Sequence, residues 1–414
     1  MKIEFTKEMK KTYKILIPNM LNIHFELLMN VFRQRGYNVE LLHNEGQEVV
    51  NKGLQYVHND TCYPALLVIG QMMDALQSGK YDINKVALLV PQTGGGCRAS
   101  NYIHLLRKAL EKAGFSHVPV ISLNMSGLES NSGFKLTLSM LRDAIAVLCY
   151  GDVMMLLENQ VEPYEAVKGK TAETVSKWID FLGNEFRNKK GFSKSELSAN
   201  INNMVRDFSE IKTDSSVRKI KVGIVGEIYA KFSGLANNNL AQLLREQDCE
   251  VMIPGLIPFL IFKVDNRLED VKLYGGSRIK KGLASMIINY LSGIENIILD
   301  VFKNYKQFVP PSSYAHVKSL VDGVIGYGNK MGEGWMLVAE MMELIENGYE
   351  NIVCCQPFGC LPNHIVAKGM VRKIKQLRPE ANIVPIDYDP GATRVNQENR
   401  IKLMLASAAA NQNG

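Results

Sequence analysis

With 414 residues, of which 46% are hydrophobic and 22% charged, the chain is large enough for more than one core, and its composition excludes disorder and collagen-like repetition. The formal charge of +6 is scattered in short runs such as 187–190 and 218–221, so no basic stripe points to nucleic acid. Residues 1–14 carry charges of both signs, and the most apolar run, 251–262, is broken by Pro254 and Pro258, so neither a secretory leader nor a membrane span is expected and the protein is read as cytoplasmic.

The pattern of elements is α/β. An apolar strand over 13–18, a helical stretch to Arg35 closed by Gly36, and a strand over 38–42 follow βαβ grammar. A helix over 64–76, a strand over 86–90, a loop to Cys97, a helix over 102–113 and a strand over 118–123 repeat it. Residues 136–211 turn helical, with 187–198 polar enough for an exposed turn or lid. A second unit opens with the strand 220–226, continues through a helix over 239–245 and a strand over 250–253, and closes with a helix over 334–346, a strand over 351–355, a helix over 363–377 and a strand over 383–386. Such alternation predicts Rossmann-like parallel sheets covered by helices on both faces. The expected division is a first α/β domain over 1–134, a helical connecting region over 135–217 and a second α/β domain over 218–414.

Seven cysteines in a reducing compartment point to metal or redox chemistry before a disulfide framework, although any single one can be a small buried hydrophobe. Loops leaving the carboxyl ends of parallel strands line the ligand crevice. Two such loops carry cysteines: Pro91-Gln92-Thr93-Gly94-Gly95-Gly96-Cys97-Arg98, and the segment from Cys354 and Cys355 through Gln356-Pro357-Phe358-Gly359-Cys360-Leu361-Pro362. Cys62, in Asn59-Asp60-Thr61-Cys62-Tyr63-Pro64, stands directly before a helix. Cys62, Cys97 and Cys360 thus occupy helix starts, which favour a thiolate and offer backbone N–H groups to cluster sulfides, while glycines before Cys97 admit a bulky inorganic group. Structural zinc sites use close cysteine pairs, whereas ligands gathered from separate loops suit an iron–sulfur cluster better, with zinc as the competing metal. Cys149 and Cys249 read as structural. Glu227 and Tyr229, after the strand 220–226, and His364, after Cys360, are candidates for proton handling, against ordinary roles as a helix-start carboxylate, a core aromatic and a solvent-facing imidazole. Neither a P-loop nor a Gly-x-Gly-x-x-Gly fingerprint is present, so nucleotide binding by this chain is not expected.

The segments around Cys62, Cys97 (through Arg98-Ala99-Ser100-Asn101-Tyr102) and Cys360 (through Pro362-Asn363-His364) resemble those of the 2-hydroxyacyl-CoA dehydratase superfamily, which also contains benzoyl-CoA reductases. The likeness is to the branch associated with CoA-enzyme activases, and it extends through Gly226-Glu227-Ile228-Tyr229 and Ile386-Asp387-Tyr388-Asp389-Pro390-Gly391. The resemblance implies an oxygen-sensitive iron–sulfur cluster held by Cys62, Cys97 and Cys360, with Cys354 or Cys355 as fourth ligand. It also implies a separate ATP-hydrolysing iron–sulfur activator that carries the ATP, a homodimer, and a small-molecule or acyl-CoA substrate. The cluster is either a [4Fe-4S] cubane or, as in the double-cubane proteins, an [8Fe-9S] pair of cubanes that would need six thiolates and so recruit Cys149. The expected function is the cluster-bearing component of an ATP-coupled low-potential reductase or dehydratase. A non-catalytic electron-transfer subunit is the second expectation and a zinc-stabilised structural protein the third.

Overall fold

The computed structural model describes residues 2–58, 60–92, 96–124, 129–214 and 216–412, with the backbone alone for residues 411 and 412. After a short helix α1 (Met9–Thr12) come β1 (Lys14–Pro18), α2 (Asn22–Gln34), β2 (Asn38–Leu42), α3 (Gln47–Tyr56), α4 (Tyr63–Gln77), β3 (Val86–Pro91), α5 (Tyr102–Lys112) and β4 (Val120–Leu123). Strands rich in Val, Ile and Leu and buried along nearly their whole length pair in parallel in the order β2-β1-β3-β4, with Lys14 opposite both Asn38 and Val86. Helix α4 is buried almost all round, as its uninterrupted apolar run requires.

Helices α3 and α4 touch backbone to backbone. A Cβ placed on Gly70 would stand 2.2 Å from the Val49 carbonyl oxygen and 2.8 Å from the Gly53 nitrogen. Gly70→Ala, which would stabilise an isolated helix, should here destabilise the protein by about 1–3 kcal/mol through overpacking. A urea midpoint equal to or above that of the parent would show that the two helices separate freely.

The connecting region is three helices, α6 (Leu138–Val161), α7 (Lys170–Arg187) and α8 (Lys194–Ser209). The polar stretch 187–198 is the turn from α7 to α8, fixed by a capping box in which Ser193 accepts from the Glu196 N–H and by Phe192 stacked on Phe186 at 4.8 Å. The second unit comprises β5 (Ile220–Gly226), α9 (Ile228–Phe232), α10 (Gly234–Asn237), α11 (Leu240–Glu246), β6 (Cys249–Met252), α12 (Ile257–Tyr274), α13 (Arg278–Phe302), α14 (Tyr314–Ser319), α15 (Met336–Glu346), β7 (Asn351–Pro357), α16 (Val371–Leu377), β8 (Asn382–Tyr388) and α17 (Arg394–Gln412). Its sheet is also parallel, in the order β6-β5-β7-β8, so both sheets have the Rossmann-like arrangement expected of the sequence.

Three parts differ from the pattern reading. Helix α12 begins inside the proline-broken run 251–262, because Pro258 sits in its first turn, where its missing N–H costs nothing, and α13 lies where no element was read. The helix expected over 363–377 is a π-helical turn (Asn363–Ala367), a 3-10 turn (Lys368–Met370) and then α16. Among the described residues one helix, α13, is long and apolar enough to cross a membrane by length and composition, with mean hydropathy 1.3 over a window of which 28% is buried. One continuous core links β1 (Ile15, Ile17), α6 (Val147, Tyr150), α12 (Ile261) and Trp335. Asp152 of α6 strengthens that link, accepting from the Leu256 and Ile257 N–H groups at 2.8 Å each and pairing with His24 of α2 at 2.8 Å.

Candidate functional site

Both strand orders reverse between neighbours, at β1/β3 and at β5/β7, and a crevice opens at the carboxyl ends of strands at such a point. The cysteine segments meet there. Cys62 precedes the first turn of α4, with Pro64 inside it, and its Sγ lies 3.3 Å from the Tyr102 hydroxyl. The Tyr63 N–H donates to the Phe358 carbonyl at 2.9 Å, and a Cβ on Gly359 would come within 2.9 Å of the Cys62 Cα, so the loop after β7 lies directly on the start of α4. Cys97 leads into a 3-10 turn (Arg98–Asn101), and the Arg98 guanidinium donates to the Asp60 carbonyl at 2.7 Å. Thr93, Gly94 and Gly95, of the glycine run expected to admit a bulky group, lie outside the described residues, as does Asn59; Gly96 faces Met331 so closely that a Cβ would meet its Cε at 2.3 Å. Cys360 accepts from the Asn363 amide at 3.7 Å, and the Oδ1 of that same residue accepts from the Cys354 thiol at 3.8 Å.

Two carboxyl groups stand together at the start of α9, directly after β5. Glu227 caps α9, accepting from the Ala230 N–H at 2.8 Å, and its own N–H donates to the Cys355 carbonyl at 3.2 Å. Glu333 accepts from the Ile228 N–H at 3.0 Å. It is presented by a turn in which Gly332 and Gly334 take left-handed φ angles of +60° and +50°, and a Cβ on Gly334 would stand 2.2 Å from the Asn329 carbonyl. Burial pushes all three thiols up: Cys97, half-buried, to about 11, with Glu333, Glu227 and Cys62 adding to the rise, and Cys62 and Cys360 in the same direction. Glu227 raises all three, and Glu333 raises Cys97 and Cys360. The helix-start contribution expected to favour thiolates is outweighed by desolvation. Lys263 of α12 completes the wall; burial lowers it, and Glu333 and Cys97 pull it back.

Although Glu227 keeps some exposed surface, burial and then the Glu333 carboxylate push it up to about 8. A carboxyl raised on folding stabilises the fold fully below its ordinary value of 4.5, and that contribution is lost as pH rises through about 8. Glu227→Gln, tested on the metal-free protein, should therefore flatten the loss of stability between neutral and mildly alkaline pH by more than about 1 kcal/mol. Parallel pH profiles for the two proteins would show that Glu227 ionises freely.

The other expected site residues are placed as follows. Cys354 and Cys355 point to opposite faces of β7, the first into the core shared with α15 and towards Asn363, the second into a separate cluster with Tyr388. Tyr229 is buried in that second cluster with Tyr63, and His364 is half-buried one turn beyond Cys360, to whose carbonyl its N–H donates at 3.2 Å. Cys149 is enclosed in the middle of α6 and Cys249 begins β6, at the opposite end of the sheet from the loops. Sequence reasoning missed Glu333, Lys263 and the buried pair Lys231–Glu340, joined at 2.9 Å. Glu333 did leave a signal, as a carboxylate between two glycines in Met331-Gly332-Glu333-Gly334-Trp335. Lys263 is the first charged residue of an otherwise apolar helix start.

Residues 14–84 match the family described as the CoA enzyme activase uncharacterised domain. No curated protein matches the chain. The matched span runs from β1 to the end of α4 and the turn after it, so it contains Cys62 and stops short of Cys97, Glu227 and Cys360. It agrees with the activase-associated branch named above and shares with that resemblance the segment around Cys62.

The donor set suits a cluster. It offers soft thiols from three loops and backbone N–H groups at the starts of turns. Among the described residues no three His, Cys, Asp or Glu side chains stand close enough together to hold one metal ion. Thiolates that bind different irons of a cluster need not be that close.

Proposed function

We propose that this chain is the iron–sulfur component of an ATP-coupled, low-potential reductase or dehydratase system, with the cluster held by Cys62, Cys97 and Cys360. The observation that carries the reading is that the three loops bearing these thiols, from two different sheets, touch: the Tyr63 N–H next to Cys62 donates to the Phe358 carbonyl, a Cβ on Gly359 would meet the Cys62 Cα, and Arg98 next to Cys97 donates to the Asp60 carbonyl. Cys354 is the favoured fourth donor, since only Asn363 separates it from Cys360. When bound, such a cluster supplies one-electron, low-potential reduction of a molecule held at it.

The chain's own groups do the rest. The Tyr102 hydroxyl and the Asn363 amide donate towards Cys62 and Cys360, which offsets charge on those sulfurs and tunes the potential. Glu227, held protonated by its surroundings, keeps a proton beside the thiols for delivery to a reduced substrate, and Lys263 offsets negative charge on the Glu333 side. Tyr229 sits deeper, packed with Tyr63, while His364 can supply a second proton path from the half-exposed rim. The ATP belongs to a separate activator, consistent with the lack of a phosphate loop here. The matched activase domain supports the pairing of this chain with such a system, and a small molecule or acyl-CoA is the substrate class.

The test is electron paramagnetic resonance on protein purified without oxygen and then reduced with a strong low-potential donor. A paramagnetic cluster signal that is altered in Tyr102→Phe is expected. A protein that stays silent at every potential, with no visible absorption to bleach, would sink the proposal.

A further inference from the structure

Between α6, the loop after β6, the start of α12, α13 and α15 lies a cavity of about 100 Å3. It is apart from the cysteine crevice, since neither Cys62, Cys97 nor Cys360, nor Glu227 or Glu333, lines it. Its wall is apolar, built from Met155, Met252, Ile257, Ile298, Met336 and Leu344. The outer side is the segment 309–312, where Pro310 and Pro311 restrict the backbone. Gln160 of α6 grips that segment in both directions, its amide donating to the Val309 carbonyl at 2.9 Å and accepting from the Val309 N–H at 2.8 Å. The cavity is thus built into the fold, as small-molecule sites usually are.

Three carboxyl groups share this apolar lining, Asp152, Glu295 and Glu343. Asp152 is engaged by the Leu256 and Ile257 N–H groups and by His24. Glu295, 8% exposed, accepts from the Tyr314 N–H at 2.7 Å, and neither it nor the half-buried Glu343 is in an ion pair among the described residues. The cation that acts on Glu343 is His316, which is already paired with Glu346 at 2.7 Å. Burial raises both carboxyls, Glu343 to about 7. A carboxyl held among apolar side chains without a cation is costly, and so is an apolar wall that lacks contact partners on one side. A single occupant with a cationic head and an apolar body answers both. An anion would add charge of the same sign, and a neutral body would leave the carboxyls uncompensated. Size limits the body: an apolar cavity of ~150 Å3 holds a benzene-sized molecule, so this one takes about four or five carbons.

We propose that the cavity binds a small organic cation, a primary ammonium on a short alkyl body, with Glu295 and Glu343 receiving the ammonium and Met155, Met252 and Met336 packing on the alkyl chain. The proposal does not depend on the cluster reading. The cavity wall does continue into the turn that carries Glu333, because the Met336 N–H donates to the Glu333 carbonyl at 3.1 Å.

The probes are n-butylammonium, n-butanol and butyrate, each titrated calorimetrically into the full chain. The ammonium should saturate at one per chain and bind at least about tenfold more tightly than either of the others, or by about 1.4 kcal/mol. Glu295→Gln and Glu343→Gln should each weaken it at least about tenfold, while Glu111→Gln, at an exposed site on α5, should leave it unchanged. Should a Gln variant misfold, methyl spectra of the methionine-labelled parent read the same site. The Met155, Met252 and Met336 signals should shift with n-butylammonium, and that of Met331, 52% exposed, should not. No binding, equal binding of n-butanol, a preference for butyrate, an affinity indifferent to both Gln substitutions, or unmoved signals from the three lining methionines would each overturn the proposal.

Discussion

Lys231→Met should cost about 3–5 kcal/mol of stability, the largest effect expected from any single substitution outside the cysteines. Lys231 of α9 and Glu340 of α15 form an ion pair at 2.9 Å with both side chains 4% exposed. Burial raises the Glu340 carboxyl and the Lys231 ammonium draws it back, so loss of the ammonium leaves a carboxyl that must be protonated to stay folded. A group raised on folding loses its stabilising contribution as pH rises, so the deficit of Lys231→Met should deepen with pH. The double variant Lys231→Met/Glu340→Leu removes both charges and should lie within about 1 kcal/mol of the parent or above it. Urea midpoints for the four members of the cycle check this. A cost below about 1 kcal/mol for Lys231→Met alone would mean that water reaches the pair.

Cys62→Ala, Cys97→Ala and Cys360→Ala should each weaken iron retention by more than about tenfold, since loss of even an outer-shell partner commonly costs that much. Cys149→Ala and Cys249→Ala should keep the full complement, because one thiol is sealed in α6 and the other lies at the far end of its sheet. The comparison of Cys354→Ala with Cys355→Ala is sharper. The two residues are adjacent in sequence yet point to opposite faces of β7, and only Cys354 shares Asn363 with Cys360, so Cys354→Ala should lose more iron. Retained iron in a folded Cys97→Ala protein would remove Cys97 from the ligand set, and a greater loss in Cys355→Ala would move the fourth ligand to the other face.

Much of this was legible in the chain because the signals were local. Apolar runs bounded by Gly and Pro marked all eight strands, and Cys62, Cys97 and Cys360 stood out by their place at strand ends or helix starts. Hidden residues were of another kind. Glu333 and Lys263 come together only because the turn before α15 is folded against the starts of α9 and α12, where Glu333 accepts from the Ile228 N–H and Lys263 donates to the Gly332 carbonyl, a long-range placement that no spacing records. Lys231 and Glu340 each look like ordinary surface charges on short helices until the sheet brings α9 onto α15. Helix α13 escaped the pattern reading because Gly282, Ser285, Ser292 and Gly293 break its apolar run into short pieces.

The measurement that bears most directly on the proposed function is iron and acid-labile sulfide per chain, with an absorption spectrum, on protein purified without oxygen. Iron and sulfide in near-equal amounts, about four of each, are expected if Cys62, Cys97, Cys354 and Cys360 hold a single cubane. Zinc without sulfide, or folded protein with neither, would contradict the proposed cluster, and about eight irons would require Cys149 to leave the core of α6.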